Sequence, residues 1–239
     1  MSNLTIVMYH YVRPIKESKF PGIKGLELEG FKRQLDYLSE NFSIVSTEEV
    51  VNATKYATPL PKDACWLTFD DGYKSIITNV LPIIKKYNIP IIIFLCPDLF
   101  NKDGYLNQDD LNKLQKSGLV DFGIHGYKHT YYGNHSIKKF KNDFEKSIKW
   151  FNDKLNINFP KYFSFPYGSY NNEIIEYLYK HEMITHIFIS KFKTLSLKKN
   201  NSSLIPRVSI WNLDNIKTFE QKINGQWDIL SYLIKTNEK

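Results

Sequence analysis

His125 and His129 stand four residues apart, and Asp70 and Asp71 are adjacent. Histidines at i and i+4, on one helical turn or in a tight loop, present two imidazoles to one point. Two neighbouring carboxylates can divide their work: one binds a cation and the other stays free as a base. Two imidazoles and one carboxylate leave positions open for water and substrate, as a catalytic metal requires. Taken separately, neither pair is specific, since adjacent acids are common in turns and this histidine spacing also occurs on ordinary helices. Their positions relative to the surrounding elements give them weight.

Strand and helix signals alternate along the chain. Apolar, β-rich runs lie at Leu4–Tyr9, Ser43–Val45, Ala64–Phe69, Ile89–Leu95, Leu119–Ile124, Lys161–Phe165, Ile184–Ile189 and Leu204–Ile210. Between them, apolar residues recur at steps of three and four. Phe31, Leu35 and Leu38 form one such set, and Ile76, Ile77, Val80, Leu81 and Ile84 another. A helix start is read at Thr47-Glu48-Glu49, a helix capped by Asn107 carries Leu111 and Leu114, and Ile174, Ile175 and Leu178 mark one more. The clearest helix starts at Ser136 and carries Ile137, Phe140, Phe144, Ile148, Phe151 and Leu155. A last helical region holds Trp227, Leu230 and Leu233, while Arg13 to Glu29 reads as a long loop. Seven or eight strands with intervening helices predict parallel βα units curled into a barrel. His10, Asp70-Asp71, His125 and Pro166-Tyr167 each directly follow a predicted strand or end it. In a βα barrel these positions converge around one mouth.

These residues carry a family resemblance. Thr68-Phe69-Asp70-Asp71-Gly72 resembles the first motif of the NodB-type polysaccharide deacetylases, carbohydrate esterase family four. His125-Gly126-Tyr127-Lys128-His129-Thr130 resembles their second motif, and Phe163-Ser164-Phe165-Pro166-Tyr167-Gly168 their third, which walls the active-site groove. Order and spacing agree, over roughly residues 4 to 210 of a chain read as a single domain, 1–239. The resemblance implies a distorted (β/α)7 barrel and a divalent metal, most often zinc, with cobalt, nickel or manganese as alternatives. It implies Asp71, His125 and His129 as ligands and Asp70 as the base that deprotonates the attacking water. It also implies an oxyanion held in part by a backbone N–H near Tyr167. Pro166, Tyr167 and Gly168 are candidate substrate-binding residues. Tyr131 and Tyr132 join them as a stacking surface, with core packing as their alternative.

The chain departs from the family pattern in three places. Where many relatives carry an arginine that braces the catalytic aspartate, the aligned residue is Ser164. Arg207 and Arg13 could each supply the guanidinium; Arg207, also a candidate at the substrate site, ranks first, and an ordinary structural arginine is the alternative. The late motifs, one running from Asp to Trp and one supplying the acid, are not recognisable. His181 lies in the wrong context, and His186 sits inside a strand pattern and reads as packed. Met8-Tyr9-His10-Tyr11-Val12 resembles the opening of the poly-N-acetylglucosamine deacetylases, which makes His10 the candidate general acid. Its alternative is a structural histidine bonded to backbone.

Composition bounds the rest. The 239 residues carry a formal charge of +7, but the lysines fall in scattered pairs, so no nucleic-acid footprint is read. Cys65 and Cys96 lie in apolar runs and read as buried free thiols. The N-terminus lacks a secretory pattern and no apolar run spans a bilayer, so a cytoplasmic protein is expected. A peripheral place on the inner membrane face is left open by the charge. The expected reaction is hydrolysis of the N-acetyl group of an amino sugar or saccharide intermediate in surface-glycan biosynthesis, lipopolysaccharide or capsule. Two alternatives stay open: an amidohydrolase acting on a ureide or N-formyl group, and a sugar-binding protein without turnover. The motifs leave the acyl group undecided. The Lys16–Glu29 loop lies beside the same face and is a candidate lid or specificity loop.

Overall fold

The computed structural model describes residues 3–14, 25–181, 184–191, 193, 195–196 and 204–229. Most of the expected Lys16–Glu29 loop, and Leu230 and Leu233 of the expected last helical region, lie outside the described residues.

Seven parallel strands close a ring. They are β1 (Asn3–Tyr9), β5 (Ala64–Asp71), β6 (Ile91–Leu95), β7 (Val120–Ile124), β8 (Tyr162–Ser164), β9 (His186–Ser190) and β11 (Leu204–Ser209). β1 completes the circuit, pairing with β5 from Leu4↔Ala64 to Tyr9↔Phe69 and with β11 at Val7↔Val208 and Met8↔Ser209. The barrel is distorted where β7 meets β8 through the single pair Ile124↔Phe163. Short strands flank it: β4 (Ser43–Ile44) lies along β5, and β10 (Leu195–Ser196) runs antiparallel to β1. The expected distorted (β/α)7 barrel is therefore the fold. One correction concerns the predicted loop between Arg13 and Glu29. β2 (Val12–Arg13) and β3 (Leu26–Glu27) pair within it, and α1 (Leu28–Asn41) already begins at Leu28.

Strand periodicity builds two cores. Alternate strand residues point to opposite faces, so Leu4, Ile6, Trp66, Ile92, Phe94, Phe188 and Ile205 fill the barrel interior. The intervening Val7, Tyr9, Cys65, Leu67, Phe69, Ile91 and Ile93 face the helices. Both faces of β5 and β6 are buried throughout, which explains their unbroken apolar runs. The helices form for legible reasons. Ser46 closes a capping box on α2 (Thr47–Tyr56), and Asn107 closes one on α4 (Gln108–Lys116). Ser136 caps α5 (Ile137–Leu155), whose stripe buries Phe140, Phe144, Phe151 and Leu155. A π-helical turn, Ile76–Val80, runs into α3 (Leu81–Tyr87), and Asn171 caps α6 (Asn172–Lys180). The last helix among the described residues was not expected. α7 (Ile216–Ile223) is capped by Asn215 and buries Phe219 and Ile223, whereas Trp227 lies in the turns after it. Cys65 and Cys96 are buried free thiols. Among the described residues no helix is long and apolar enough to cross a membrane.

Candidate active site

The alternation that fills the barrel also sets the floor of the site. On β5 the even-numbered residues Trp66, Thr68 and Asp70 point inward, and on β11 Ile205 and Arg207 do so. Asp71 should then face away from Asp70. It does not, because its φ is +71° and that of Gly72 is +79°. The left-handed conformation breaks the alternation and turns the Asp71 carboxylate back to the barrel mouth. Aspartate is among the few side chains that tolerate this region, and such backbone outliers gather at functional sites. The strand thus runs through both carboxylates, where a break at Asp70 was expected.

His125 follows β7. Its backbone N–H donates to Leu95 O at 2.8 Å, and its ring Nδ1 lies 2.9 Å from Ser164 O. The carbonyl can only accept, so Nδ1 carries the proton and the lone pair of Nε2 faces the cavity. Burial pushes the ring down to about 4, outweighing the two carboxylates, so His125 is neutral near pH 7. His129 comes in from the loop that follows. The ligating atoms of Asp71, His125 and His129 all lie within 4.8 Å of one another. Asp71 Oδ1 is 3.1 Å from His129 Nε2 and 3.5 Å from His125 Nε2. It is nevertheless buried without a hydrogen-bond partner of good geometry. Two imidazole nitrogens and one orphaned carboxylate oxygen aimed at a common point fit a divalent cation. Burial raises the Asp71 carboxyl, but His129 and the other imidazoles outweigh it and hold it well below the usual range. Burial pulls His129 down, and the nearby Asp71 more than restores it.

Asp70 has a different environment. Arg207 Nη1 and Nη2 meet its two oxygens, each at 2.7 Å. The same guanidinium donates to Ser164 Oγ at 2.5 Å and Thr68 Oγ1 at 3.1 Å, and lies 4.8 Å over the Phe94 ring. Arg207 is wholly buried. Burial raises the Asp70 carboxyl, and Arg207, followed by His125, reverses this, so Asp70 is ionised. Of the two arginines weighed, Arg207 is the one at Asp70. Arg13 instead pairs with Glu27 at 3.1 Å. Ser164, small where an arginine was expected, leaves room for a guanidinium arriving from β11. As a substrate-binding residue Arg207 does not hold up: every contact named is to the protein interior beneath Asp70, out of reach of a ligand.

Above this floor opens a cavity of about 570 Å³, lined by Asp70, Asp71, His125, His129, His10 and Trp211 among others. His10, directly after β1, acts on the charge of both carboxylates. Tyr167 and Gly168 also line the cavity, whereas Pro166 is buried beneath it as the first residue of the 3-10 turn. Tyr167 has φ +59°, its ring stands edge-on to His129 at 4.4 Å, and Tyr131 stacks on it at 4.0 Å. Tyr131 and Tyr167 are more than half exposed, which forms an aromatic shelf at the rim, whereas Tyr132 is fully buried against Phe140 and is core packing. His186 is packed in β9 against Thr54, and His181 against Phe144, so neither reaches the site.

Residues 57–185 match the sequence profile of the family "Polysaccharide deacetylase". The chain belongs to the polysaccharide deacetylase family. Members of this class are hydrolases acting on carbon–nitrogen bonds, and this deacetylase is placed among them. It is 28% identical over 210 residues to a poly-beta-1,6-N-acetyl-D-glucosamine N-deacetylase of Staphylococcus epidermidis, covering 83% of this chain and 70% of that one. It is 25% identical to the Escherichia coli enzyme of the same name over 80% of this chain, and spans only 34% of that longer protein. Among solved structures, IcaB from Ammonifex degensii superposes with a TM-score of 0.78 at 21% identity, covering 95% of this chain and 97% of that one. Streptococcus pyogenes deacetylase PplD in complex with acetate gives 0.79 at 20%, covering 92% and 98%. At these identities the structures speak for the fold.

The sequence reading passed over Tyr73 and Trp211, which line the cavity. Tyr73 is buried against Asp71 and stacks on Tyr105 at 5.0 Å. It follows the Asp70-Asp71-Gly72 motif at once, which was a usable signal. Trp211 directly follows the β11 run, so the strand-end rule applied elsewhere would have found it. Its backbone N–H donates to Asp214 at 2.7 Å, and Lys222 Nζ, 2.5 Å from Asp214, lies 4.4 Å over its ring.

Proposed function

We propose that this chain is a metal-dependent N-deacetylase acting on N-acetylglucosamine units of a β-1,6-linked surface glycan or its precursor. One observation carries the reading: an orphaned Asp71 oxygen and two imidazoles share one point, with the ionised Asp70 beside them. The relatives named for poly-beta-1,6-N-acetyl-D-glucosamine support the choice of sugar. Lipopolysaccharide or capsule assembly is one context such a precursor would serve.

Asp71, His125 and His129 would hold the divalent ion, with zinc the first candidate for its donor set. When bound, such an ion supplies Lewis acidity, polarising a carbonyl oxygen and acidifying water. The protein's own groups divide the remaining work. Asp70, kept ionised and aimed by Arg207, takes a proton from the water whose oxygen attacks the acetyl carbonyl carbon. A preorganised backbone N–H, that of Tyr167, donates to the oxyanion as it forms. On collapse the carbon–nitrogen bond breaks, its electron pair goes to nitrogen, and His10 delivers the proton that makes the amine a leaving group. Acetate and a free amino sugar result. The Tyr131–Tyr167 shelf offers a face for the sugar ring next to the reacting one.

The test is acetate release from β-1,6-linked N-acetylglucosamine oligomers. Activity should vanish with a chelator and return with zinc or cobalt. Turnover that survives exhaustive chelation would overturn the metal reading. Cleavage of ureides or N-formyl sugars in preference to N-acetyl sugars would overturn the assignment of the acyl group.

A further inference from the structure

We propose that Asp143, on α5 and outside every motif above, is the positioning residue that places His129 in the metal-binding cluster; this rests on the reading of that cluster as a metal site. The two histidines are held in different ways. His125 is fixed directly, through its backbone N–H to β6 and its ring to Ser164 O. Among the described residues, the His129 ring meets Asp71 and the tilted His125 ring, both within the cluster itself, and the edge of the exposed Tyr167. Its place is therefore inherited from the loop 126–132, and the conformation of that loop converges on one carboxylate.

Asp143 Oδ2 accepts the Tyr127 backbone N–H at 2.7 Å, and Oδ1 accepts that of Lys128 at 3.2 Å. The Tyr132 hydroxyl donates to Oδ2 as well. One carboxyl side chain thus receives donors from both ends of the loop, at both of its oxygens. The opposite side of the same peptide is also held. Tyr127 O accepts from Asp98 N–H at 2.9 Å and from Cys96 Sγ at 3.2 Å. Gly126 shows how closely the loop wraps the hydroxyl: its φ is +71°, and a Cβ there would lie 2.1 Å from Tyr132 Oη. Only glycine fits that turn. The carboxylate itself is anchored by the core, because Phe140 and Phe144 on either side of it in α5 are fully buried. A chain of rigid contacts therefore runs from the packed face of α5 through Asp143 and two peptide N–H groups to His129.

Asparagine at this site keeps the size but replaces one acceptor oxygen with an NH2 that cannot accept from an N–H. The experiment is titration of metal-free Asp143→Asn and wild type with Co2+, followed by calorimetry and by the visible d–d bands, with far-UV circular dichroism as the folding control. A folded Asp143→Asn with Co2+ affinity weakened roughly 10- to 100-fold and altered bands supports the proposal. Wild-type affinity and an unchanged spectrum in the folded variant would overturn it. Should that variant not fold, Tyr132→Phe removes a single donor. It is expected to weaken Co2+ binding about 3- to 10-fold, roughly a kcal/mol, and unchanged affinity would count against the proposal. Wild type that binds no Co2+ would bring down the metal reading itself, a result separate from any difference between wild type and variant.

Discussion

Arg207→Met isolates the charge beneath the catalytic floor. Methionine keeps an unbranched stem against Phe94 but loses the two 2.7 Å contacts to Asp70 and those to Ser164 and Thr68. Both partners are buried, Arg207 at 0% and Asp70 at 2% exposure. Breaking such a pair from one side costs about 3–5 kcal/mol, because the remaining charge stays buried without its counterion. At about 2–4 °C per kcal/mol for a chain of this size, metal-free variant protein should melt roughly 6–20 °C below wild type at pH 7. The pH dependence separates charge from packing. In wild type, burial raises the Asp70 carboxyl, but Arg207 and the imidazoles leave it below its ordinary 3.8. The unfolded chain therefore binds more protons near that pH, and the pair's stabilisation is present above it and is lost on acidification. Without Arg207, burial dominates and the folded carboxyl titrates above its unfolded value. Ionisation then opposes folding, so the variant loses stability as pH rises through that range. The deficit should widen from about pH 4 to pH 7. Differential scanning calorimetry with chelator present, across this range, measures it. A deficit of equal size at both ends would refute the ion-pair argument and leave a packing defect. Arg207→Lys should fall between, since one ammonium cannot meet both oxygens and Ser164 together.

Other outcomes follow from the same geometry. His10→Ala should lower kcat at least about tenfold, and toward the roughly 100- to 10,000-fold typical of general acid–base catalysis, with metal content unchanged by elemental analysis; full activity would remove His10 from the mechanism. Tyr131→Ala and Tyr167→Ala should raise KM for oligomers about fivefold, near 1 kcal/mol of lost ring contact, with little effect on a monosaccharide; equal effects on both would argue against a shelf for the neighbouring sugar. Burial, then Lys55, pushes His186 down from 6.5 to about 4. The unfolded chain thus takes up a proton that the fold refuses, and stability should decline as pH falls from about 6.5 to about 4. His186→Gln should flatten that part of the Tm–pH curve, and an unchanged slope would show that another group is responsible.

Much of the barrel was legible because parallel strands buried on both faces write themselves as continuous apolar runs, as Ile91–Leu95 does, and because the caps at Asn107 and Ser136 are local hydrogen bonds. The strand-end positions of His10, Asp70, Asp71 and His125 are enough to place them at one mouth. What proved misleading was local chemistry overridden by long-range pairing. Leu26–Glu27 looks like loop until it meets Val12–Arg13, and α7 hides in a polar stretch whose Phe219 and Ile223 find partners only in the folded chain.

The sequence alone determined the set of chemical groups, their order and the kind of barrel that gathers them, since residue types, spacing and strand periodicity are properties of the chain itself. Only the tertiary structure decided which arginine stands behind Asp70, that Asp71 turns against the strand's alternation, and that a carboxylate on α5 holds the loop carrying His129. Each of these is a contact or a backbone angle set by closure of the barrel. Arg207 meets Asp70 across 137 residues of chain, a separation at which no local pattern marks the partner and only the stacking of side chains inside a closed ring of strands selects it.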